Sequence, residues 1–321
     1  MWLAVLLLVV GFLLTVFGAN WLVDGAASLA KKLNVSNLVI GLTVVAFGTS
    51  TPEFVVSFIS ALNNKTDIAI GNVVGSNTFN ILFILGISAF LYPISVQRST
   101  IWKEIPYSLL AAVVLLFMAN DVILDNESQG WISRIDGLVL LSFFVIFLYY
   151  SVEISKNMTD TENEVKEFPM FKSIVMVVVG LAGLIFGGRF MVDGSVDIAR
   201  LMGISETIIG LTIVSIGTSV PELATSVVAA MKKNSDIAIG NVVGSNIFNI
   251  FFILGISATI APLSFNPVMN FDLVVCALTS GLLFLFMFVG HRGKLMKMEG
   301  LFFMLLYVVY VGYLIYQEGV R

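Results

Sequence analysis

Two glutamates of this chain lie in strongly apolar stretches, each directly after a proline. Glu53 lies in "VVAFGTSTPEF" at 44–54, and Glu222 lies at the equivalent place in "IVSIGTSVPEL" at 213–223. An ionisable side chain inside a membrane is costly and usually functional. Because the arrangement occurs twice, we interpret the two carboxylates as parts of one functional site, provided that the surrounding stretches cross a membrane.

The composition indicates an integral membrane protein. Of the 321 residues, 58% are hydrophobic and 12% are charged, whereas soluble domains carry about 25% charged residues. A helix needs about 20 apolar residues to cross a bilayer, so the chain has room for about ten spans and no soluble domain. The single cysteine, Cys276, excludes an intramolecular disulfide. Nothing in the composition suggests nucleic acid binding.

The apolar runs predict ten membrane spans. They are 2–23, 38–60, 68–92, 105–124, 132–152, 171–192, 207–230, 237–261, 269–290 and 298–316. The chain also repeats itself at an offset of 169 residues, and "DIAIGNVVGSN" recurs without change at 67–77 and 236–246. Each half holds five spans, and an odd number makes the second half enter the membrane from the opposite side. This is the plan of many secondary transporters, whose substrate site lies between the halves at the bilayer midplane.

The predicted fold is therefore an all-α polytopic membrane protein with ten transmembrane helices in two inverted five-helix repeats. The first repeat is 1–152, the second is 171–321, and the polar segment 153–170 joins them. Lys and Arg accumulate on the cytoplasmic side of membrane proteins. With both termini outside, the cytoplasmic side holds twelve of these residues and the other side five. We therefore expect a multi-pass protein of the plasma membrane with both termini outside and a cytoplasmic linker.

The prolines before the glutamates predict breaks in two helices. Pro52 and Pro221 lack a backbone N–H and clash with the carbonyl four residues back, so the helices should break near Gly48 and Gly217. Irregular backbone within a membrane is tolerated where it is buried in protein or lines a cavity. The residues that can share a face with the glutamates are Thr49, Ser50, Thr218 and Ser219.

A second polar set lies in "GNVVGSNTFN" and "GNVVGSNIFN", in the third and eighth spans. In each motif a serine and an asparagine are one helical turn apart, and they are Ser76 with Asn80, and Ser245 with Asn249. If these spans pack against the broken ones, carboxylates, amides, hydroxyls and carbonyls come together without histidine or cysteine. Such oxygen ligands suit hard cations, and Ca²⁺ takes about six to eight of them. Soft metals are disfavoured.

These paired motifs resemble the alpha repeats of the calcium/cation antiporter superfamily, which includes the sodium/calcium exchangers. The resemblance is carried by "GTSTPE" with "GNVVGSNTFN" and "GTSVPE" with "GNVVGSNIFN", and it extends over both halves. It implies a ten-helix fold in which the first and sixth helices slide or gate to open a central cluster of four ion sites. The calcium site would use Glu53, Glu222 and the backbone oxygens of Thr49 and Thr218. The sodium sites would use Ala46, Ser50, Ser76, Ser215, Ser219 and Ser245, with Asn80 and Asn249 lining the middle.

The resemblance thus implies exchange of Na⁺ for Ca²⁺ by alternating access, with no enzymatic activity and no cofactor. Some superfamily members have an aspartate in place of one of the two asparagines, whereas both positions are amides in this chain. Potassium coupling and the ion stoichiometry therefore stay open. A Ca²⁺/H⁺ antiporter that uses the same carboxylates is an alternative, and a cation channel is an alternative of another class. An intramembrane hydrolase lacks a nucleophile and base in one place. The expected partners are the ions Ca²⁺ and Na⁺, H⁺ in the alternative, and the lipid bilayer, with no obligate protein partner indicated.

Overall fold

The computed structural model describes residues 2–124, 129–155, 166–202 and 215–320. Within them, eight helices are long and apolar enough to cross a membrane, and one bent pair of helices forms a ninth candidate. The shorter apolar helix Val220–Met231 follows residues that lie outside the described part. The chain is thus an all-helical polytopic membrane protein. The predicted span 207–230 starts outside the described residues. Most of the predicted linker also lies outside them.

The helices are numbered here in chain order. They are α1 (Trp2–Leu33), α2 (Asn37–Thr49), α3 (Thr51–Leu62), α4 (Thr66–Leu91), α5 (Arg98–Met118), α6 (Arg134–Ser155), α7 (Met170–Leu201), α8 (Val220–Met231), α9 (Ser235–Ile260), α10 (Asn270–Phe286) and α11 (Lys297–Val320). Single helical turns occur at Asp121–Leu124, Ser215–Gly217 and Pro267–Met269. Four short strands are β1 (Ile94–Ser95), β2 (Gly130–Ile132), β3 (Leu263–Phe265) and β4 (Lys294–Leu295).

The strands form two small antiparallel pairs that the all-α prediction did not include. β1 pairs with β4, and β2 pairs with β3. Ile94, Ile132, Leu263 and Leu295 are fully buried in these strands. Each pair joins a loop of the first half of the chain to a loop of the second half, so the two halves are connected outside the helical bundle as well as within it.

α1 and α7 are each 32 residues long, longer than the predicted spans 2–23 and 171–192. As a result, Asp24 and Asp193 lie well inside helices, whereas the sequence suggested span ends. The additional turns of α1 are rich in small residues, and Ala26, Ala27 and Ala30 are buried there. Packing against neighbouring helices therefore extends α1 beyond its most apolar stretch.

α1 and α7 pack along each other through glycines. A Cβ atom on Gly18 would lie 2.7 Å from the carbonyl oxygen of Gly180, and one on Gly11 would lie 2.7 Å from that of Gly187. The reverse contacts are equally close, at 2.8 Å for both Gly180 and Gly187. Small residues let helix backbones approach closely in membranes. This seam thus consists of backbone against backbone.

α4 and α9 form the centre of the bundle, and α9 is almost completely buried. Each contains a π-helical segment, Asn80–Leu85 in α4 and Phe248–Leu254 in α9. Such wide turns are rare and occur frequently at functional sites. Here they begin at Asn80 and immediately before Asn249, two of the predicted site residues.

Candidate cation site

The break between α2 and α3 falls at Ser50, whose φ of −79° and ψ of 8° are not helical. The two helices meet at 50°. Pro52 lies in the first turn of α3, where its missing N–H has no helical partner to lose. The sequence predicted a break near Gly48, and the structure has it two residues later, at Ser50. Ser219, with φ −91° and ψ 10°, precedes α8 in the same way.

The break glycines contact α7. A Cβ atom on Gly48 would lie 2.5 Å from Cδ2 of Leu181, and one on Gly217 would overlap Cγ2 of Val192. The glycines therefore let the long helix α7 pass directly over both broken segments. α7, which also packs along α1 through glycines, therefore contacts the backbone next to the two glutamates.

Glu53 and Glu222 lie in the first turns of α3 and α8, and each has only 1% of its surface exposed. The hydroxyl of Ser50 donates to Oε1 of Glu222 at 2.9 Å, and the hydroxyl of Ser219 donates to Oε1 of Glu53 at 2.8 Å. Each glutamate is thus held by the serine at the break of the other half. The structure brings together the two halves that the sequence placed in one site.

Ser219 extends the cluster to α4, since its hydroxyl lies 3.1 Å from the hydroxyl oxygen of Ser76. Ser76 and Ser245 are both buried. Thr49 is buried, and its hydroxyl donates to Oδ1 of Asn241 at 3.0 Å. Thr218 makes the equivalent, longer contact of 3.4 Å to Oδ1 of Asn72.

Ala46 is fully buried, and its carbonyl oxygen already accepts from the backbone of Ser50 at 3.0 Å. Its counterpart Ser215 begins a single helical turn, but the side chain of Ser215 lies outside the described part of the chain. Ala46 and Ser215, the two predicted sodium ligands one turn before the breaks, thus lie on the broken segments. That their oxygens bind sodium stays a prediction.

Asn72 and Asn241 contact the backbones of the two glutamates, and the sequence did not single them out. Nδ2 of Asn72 donates to the backbone oxygen of Glu53 at 3.2 Å and to Oγ of Ser57 at 2.9 Å. Nδ2 of Asn241 donates to the backbone oxygen of Glu222 and to Oγ of Ser226 at 3.3 and 2.9 Å. These amides attach each glutamate's backbone to the neighbouring central helix. Their exact recurrence in "DIAIGNVVGSN" was the available sequence signal.

Within the described part of the chain, four buried carboxylate and amide oxygens of this cluster have no hydrogen-bond partner. They are Oε2 of Glu53, Oε2 of Glu222, Oδ1 of Asn80 and Oδ1 of Asn249. A buried polar oxygen without a partner costs about 1–3 kcal/mol, and more when it is charged. Cations bound in the cluster would satisfy such oxygens. Among the described residues, no three His, Cys, Asp or Glu side chains are grouped so that they could hold a metal ion. The donor set of the cluster is two carboxylates with neutral oxygens, which suits hard cations.

The comparisons with known proteins agree with this chemistry. The family model for "Sodium/calcium exchanger protein" matches residues 3–153 and 172–316. The sodium/calcium exchanger MaX1 of Methanosarcina acetivorans is 33% identical over 93% of this chain and 95% of its own length. The inner membrane protein YrbG of Escherichia coli is 39% identical over 83% of both chains.

A solved structure of the sodium-calcium exchanger NCX_Mj, soaked without Na⁺ and Ca²⁺, superimposes with a TM-score of 0.83. It is 35% identical, and the superposition covers 97% of this chain and 99% of that one. Sequence motifs, fold and site thus point in one direction, and the chain belongs to the sodium/calcium exchanger protein family.

Proposed function

We propose that this protein exchanges Na⁺ for Ca²⁺ at a site built on Glu53 and Glu222. The observation that carries the proposal is the buried carboxylate pair, in which each group has one oxygen on a serine of the other half and one without a hydrogen-bond partner among the described residues. Two carboxylates supply about two negative charges, which neutralise one Ca²⁺. They do not neutralise Ca²⁺ and several Na⁺ together, so the two ions exclude each other.

The remaining ligands follow from the resemblance and from the cluster. Ca²⁺ would bind both glutamates and the backbone oxygens of Thr49 and Thr218. The unpartnered amide oxygens of Asn80 and Asn249 would line the middle of the site. The flanking Na⁺ sites would use oxygens of Ala46, Ser50, Ser76, Ser215, Ser219 and Ser245.

Exchange, as opposed to leak, follows from the cost of the empty site. Without a cation, two carboxylates are buried next to each other in a medium of low dielectric, and an unpaired buried charge is strongly unfavourable. The protein can therefore switch sides when it is loaded, while the empty protein switches poorly. A sodium gradient then drives Ca²⁺ in the opposite direction.

The proposed architecture is ten helices in two inverted repeats, with the site at the midplane. Support comes from the contacts, because the offset of 169 residues converts Ser50 to Ser219 and Glu53 to Glu222, and converts Asn72 to Asn241. The contacts that Ser50 and Asn72 make to the two glutamates therefore have counterparts in Ser219 and Asn241. α8 would be the second part of the seventh span, and α1 with α7 would be the moving pair.

For the cellular setting we propose the plasma membrane, with both termini outside and the 153–170 linker in the cytoplasm. The distribution of Lys and Arg supports this orientation. With sodium moving inward down its gradient, the protein would export Ca²⁺.

A Ca²⁺/H⁺ antiporter is the second candidate, because the same carboxylates can carry protons. The hydroxyls of Ser50 and Ser219 beside them favour Na⁺. A cation channel is a weaker candidate, since broken helices within an inverted repeat are the arrangement of secondary transporters.

The test is calcium uptake into proteoliposomes that contain the purified protein, under an outward gradient of Na⁺, K⁺ or H⁺. We expect uptake with the sodium gradient alone. Uptake with the proton gradient and none with sodium would replace the proposal with the Ca²⁺/H⁺ antiporter. Calcium entry that follows only its own gradient and ignores all three counter-ions would indicate a channel.

A further inference from the structure

Two further asparagines, Asn77 and Asn246, make a reciprocal contact between the central helices α4 and α9. Nδ2 of Asn77 donates to the backbone oxygen of Asn246 at 3.1 Å, and Nδ2 of Asn246 donates to the backbone oxygen of Asn77 at 3.2 Å. Both residues are 1% exposed. A backbone carbonyl can only accept a hydrogen bond, so these two contacts fix which end of each amide carries the nitrogen.

The fixed amides in turn fix their neighbours. Because its nitrogen is bound to the backbone, Asn77 presents Oδ1, which accepts from Nδ2 of Asn249 at 3.0 Å. Asn246 likewise presents Oδ1 to Nδ2 of Asn80 at 2.9 Å. We call Asn77 and Asn246 the inner amides, and Asn80 and Asn249 the outer amides. The nitrogen of each outer amide is therefore bound, and its oxygen is left without a hydrogen-bond partner within the described part of the chain.

These outer amides belong to the same cluster as the glutamates. Asn77 directly follows Ser76, whose hydroxyl is bonded to Ser219, and Ser219 donates to Glu53. Asn80 lies one helical turn after Ser76, on the same face of α4. If Asn80 or Asn249 were reversed, two oxygens would meet at Asn246 or Asn77, and an NH₂ group would replace the buried oxygen that has no partner in the described part of the chain.

We propose that Asn77 and Asn246 are positioning residues that set the polarity of Asn249 and Asn80, so that both present an oxygen to the transported cation. This inference rests on the proposed function, because an oxygen-first orientation matters only for a positively charged substrate. An NH₂ group in the same place would repel Ca²⁺ or Na⁺. The inner pair thus acts on cation affinity without touching the cation.

The experiment measures KM for Ca²⁺ and maximal rate of sodium-driven uptake in proteoliposomes for Asn77→Leu. Leucine keeps the approximate volume and removes the amide, so Asn249 is free to turn. We expect KM to rise about tenfold, since one contact between a dipole and a charge is worth roughly 1.5 kcal/mol or more. The maximal rate should change much less.

Two backgrounds separate positioning from a structural role. In the Asn249→Ala background the amide that Asn77 orients is absent, so Asn77→Leu should change KM by less than about twofold. In the Asn80→Ala background Asn249 is intact, so the roughly tenfold effect should persist. The same increase in both backgrounds, or an unchanged KM in the parent background, would overturn the inference and leave the proposed function intact. No sodium-driven flux in the unmodified protein would instead refute the proposed function.

A matched control and a mirror variant complete the design. Asn120 is also a buried asparagine, and its amide bonds to the backbone of Leu116 and to Asn270 at 2.7 Å each. Asn120→Leu should lower the melting temperature and leave KM unchanged. If Asn77→Leu is not recovered as a monodisperse protein, Asn246→Leu gives the same test with the two backgrounds exchanged, because it acts on Asn80.

Discussion

Lys232 Nζ lies 2.6 Å from Oδ1 of Asp24, so an ion pair joins the end of α8 to the long helix α1. The same ammonium donates to the backbone oxygen of Asn20 at 3.1 Å. At the repeat offset, Lys232 corresponds to Asn63, which carries no charge. The counterpart of Asp24 is Asp193, which lies 3.8 Å from Nε of Arg189 within its own helix. Of the two equivalent positions, only the α8 end is thus fastened to a long helix by charge.

Helix packing shows the same asymmetry. α1 packs against α8, whereas neither α1 nor α7 packs closely against the described residues of α3. Thr225 of α8 is fully buried, and its counterpart Val56 of α3 is partly exposed. We therefore expect Lys232→Asn to loosen α1 from α8 and expose the α8 side of the site. A thiol reagent should label Thr225→Cys, in a Cys276→Ala background, up to about fivefold faster, because a partly exposed ion pair is worth about 1 kcal/mol or less.

The control for this prediction is Lys233→Asn, which removes the neighbouring charge, one that forms no ion pair with the described residues. It should leave the labelling rate unchanged. Equal labelling rates in Lys232→Asn and the parent would show that the ion pair does not hold α1 in place.

Neutralising either glutamate should abolish calcium transport. Glu53→Gln and Glu222→Gln preserve the shape of the side chain and remove half of the charge that neutralises Ca²⁺. The measurement is calcium flux in proteoliposomes together with a monodisperse purification profile. Glu104→Gln is the matched control, since Glu104 is equally buried and is bonded to Tyr150 at 2.7 Å. Flux close to normal in both site variants would remove the glutamates from the mechanism.

The glycine seam between α1 and α7 should not accept even a methyl group. In Gly18→Ala the new Cβ would meet two backbone atoms, the oxygen of Gly180 at 2.7 Å and the nitrogen of Leu184 at 2.8 Å. Neither can move alone, so we expect a loss of about 1–3 kcal/mol in stability and slower transport. Gly312→Ala in α11 is the control, because nothing in the described structure lies within 4 Å of its added Cβ. Equal melting temperatures and fluxes would show that the seam is looser than described.

The sequence predicted that the glutamates, the serines at the breaks, and Asn80 with Asn249 belong to one cation site, because their motifs occur twice in an apolar setting. It did not predict Asn72 and Asn241. Their amides accept from Thr218 and Thr49, which lie 146 and 192 residues away, and no local spacing reveals such contacts. The length of α1 was missed for a related reason, since its last turns are held by packing against α7 and α8 and by the ion pair of Asp24.

The polar linker between the repeats should be exposed to the cytoplasm. Its residues 156–165 lie outside the described part of the chain, but its end contacts α1, because Glu167 lies 2.7 Å from Nζ of Lys31. That hydrogen bond and charge hold the pKa of Glu167 below its usual range, so the contact weakens as the carboxylate is protonated in acid. The end of the linker therefore lies on the same side of the membrane as Lys31 and Lys32.

Single cysteines in the Cys276→Ala background test this orientation. Lys166→Cys should resist an impermeant thiol reagent in intact cells and react once the membrane is opened. Lys65→Cys, an exposed position in the turn after α3, should react in intact cells. The reverse pattern would overturn the orientation and leave the function untouched.

The two neutral amides at the centre distinguish this chain from superfamily members that carry an aspartate there. With Asn80 and Asn249 both uncharged, the parent should transport calcium without potassium, because no third anionic ligand compensates an additional cation. A strict potassium requirement in the parent would refute this interpretation of the amides. The comparison is sodium-driven calcium flux with and without potassium.

Asn249→Asp adds a third carboxyl to a buried pair, and like charges in one site favour a protonated form. The new group also meets Oδ1 of Asn77, the acceptor that now receives Nδ2 of Asn249 at 3.0 Å, and only a protonated carboxyl can donate to it. The three carboxyls should bind protons as a coupled set, so proton inhibition of exchange should extend to higher pH in the variant than in the parent. Flux measured between about pH 5.5 and 8.5 tests this, because that interval lies above the usual range of carboxyl groups and reaches neutral conditions. Identical pH profiles would show that position 249 lies outside the site, and in that case the unpartnered oxygen of Asn249 would be a feature of helix packing alone.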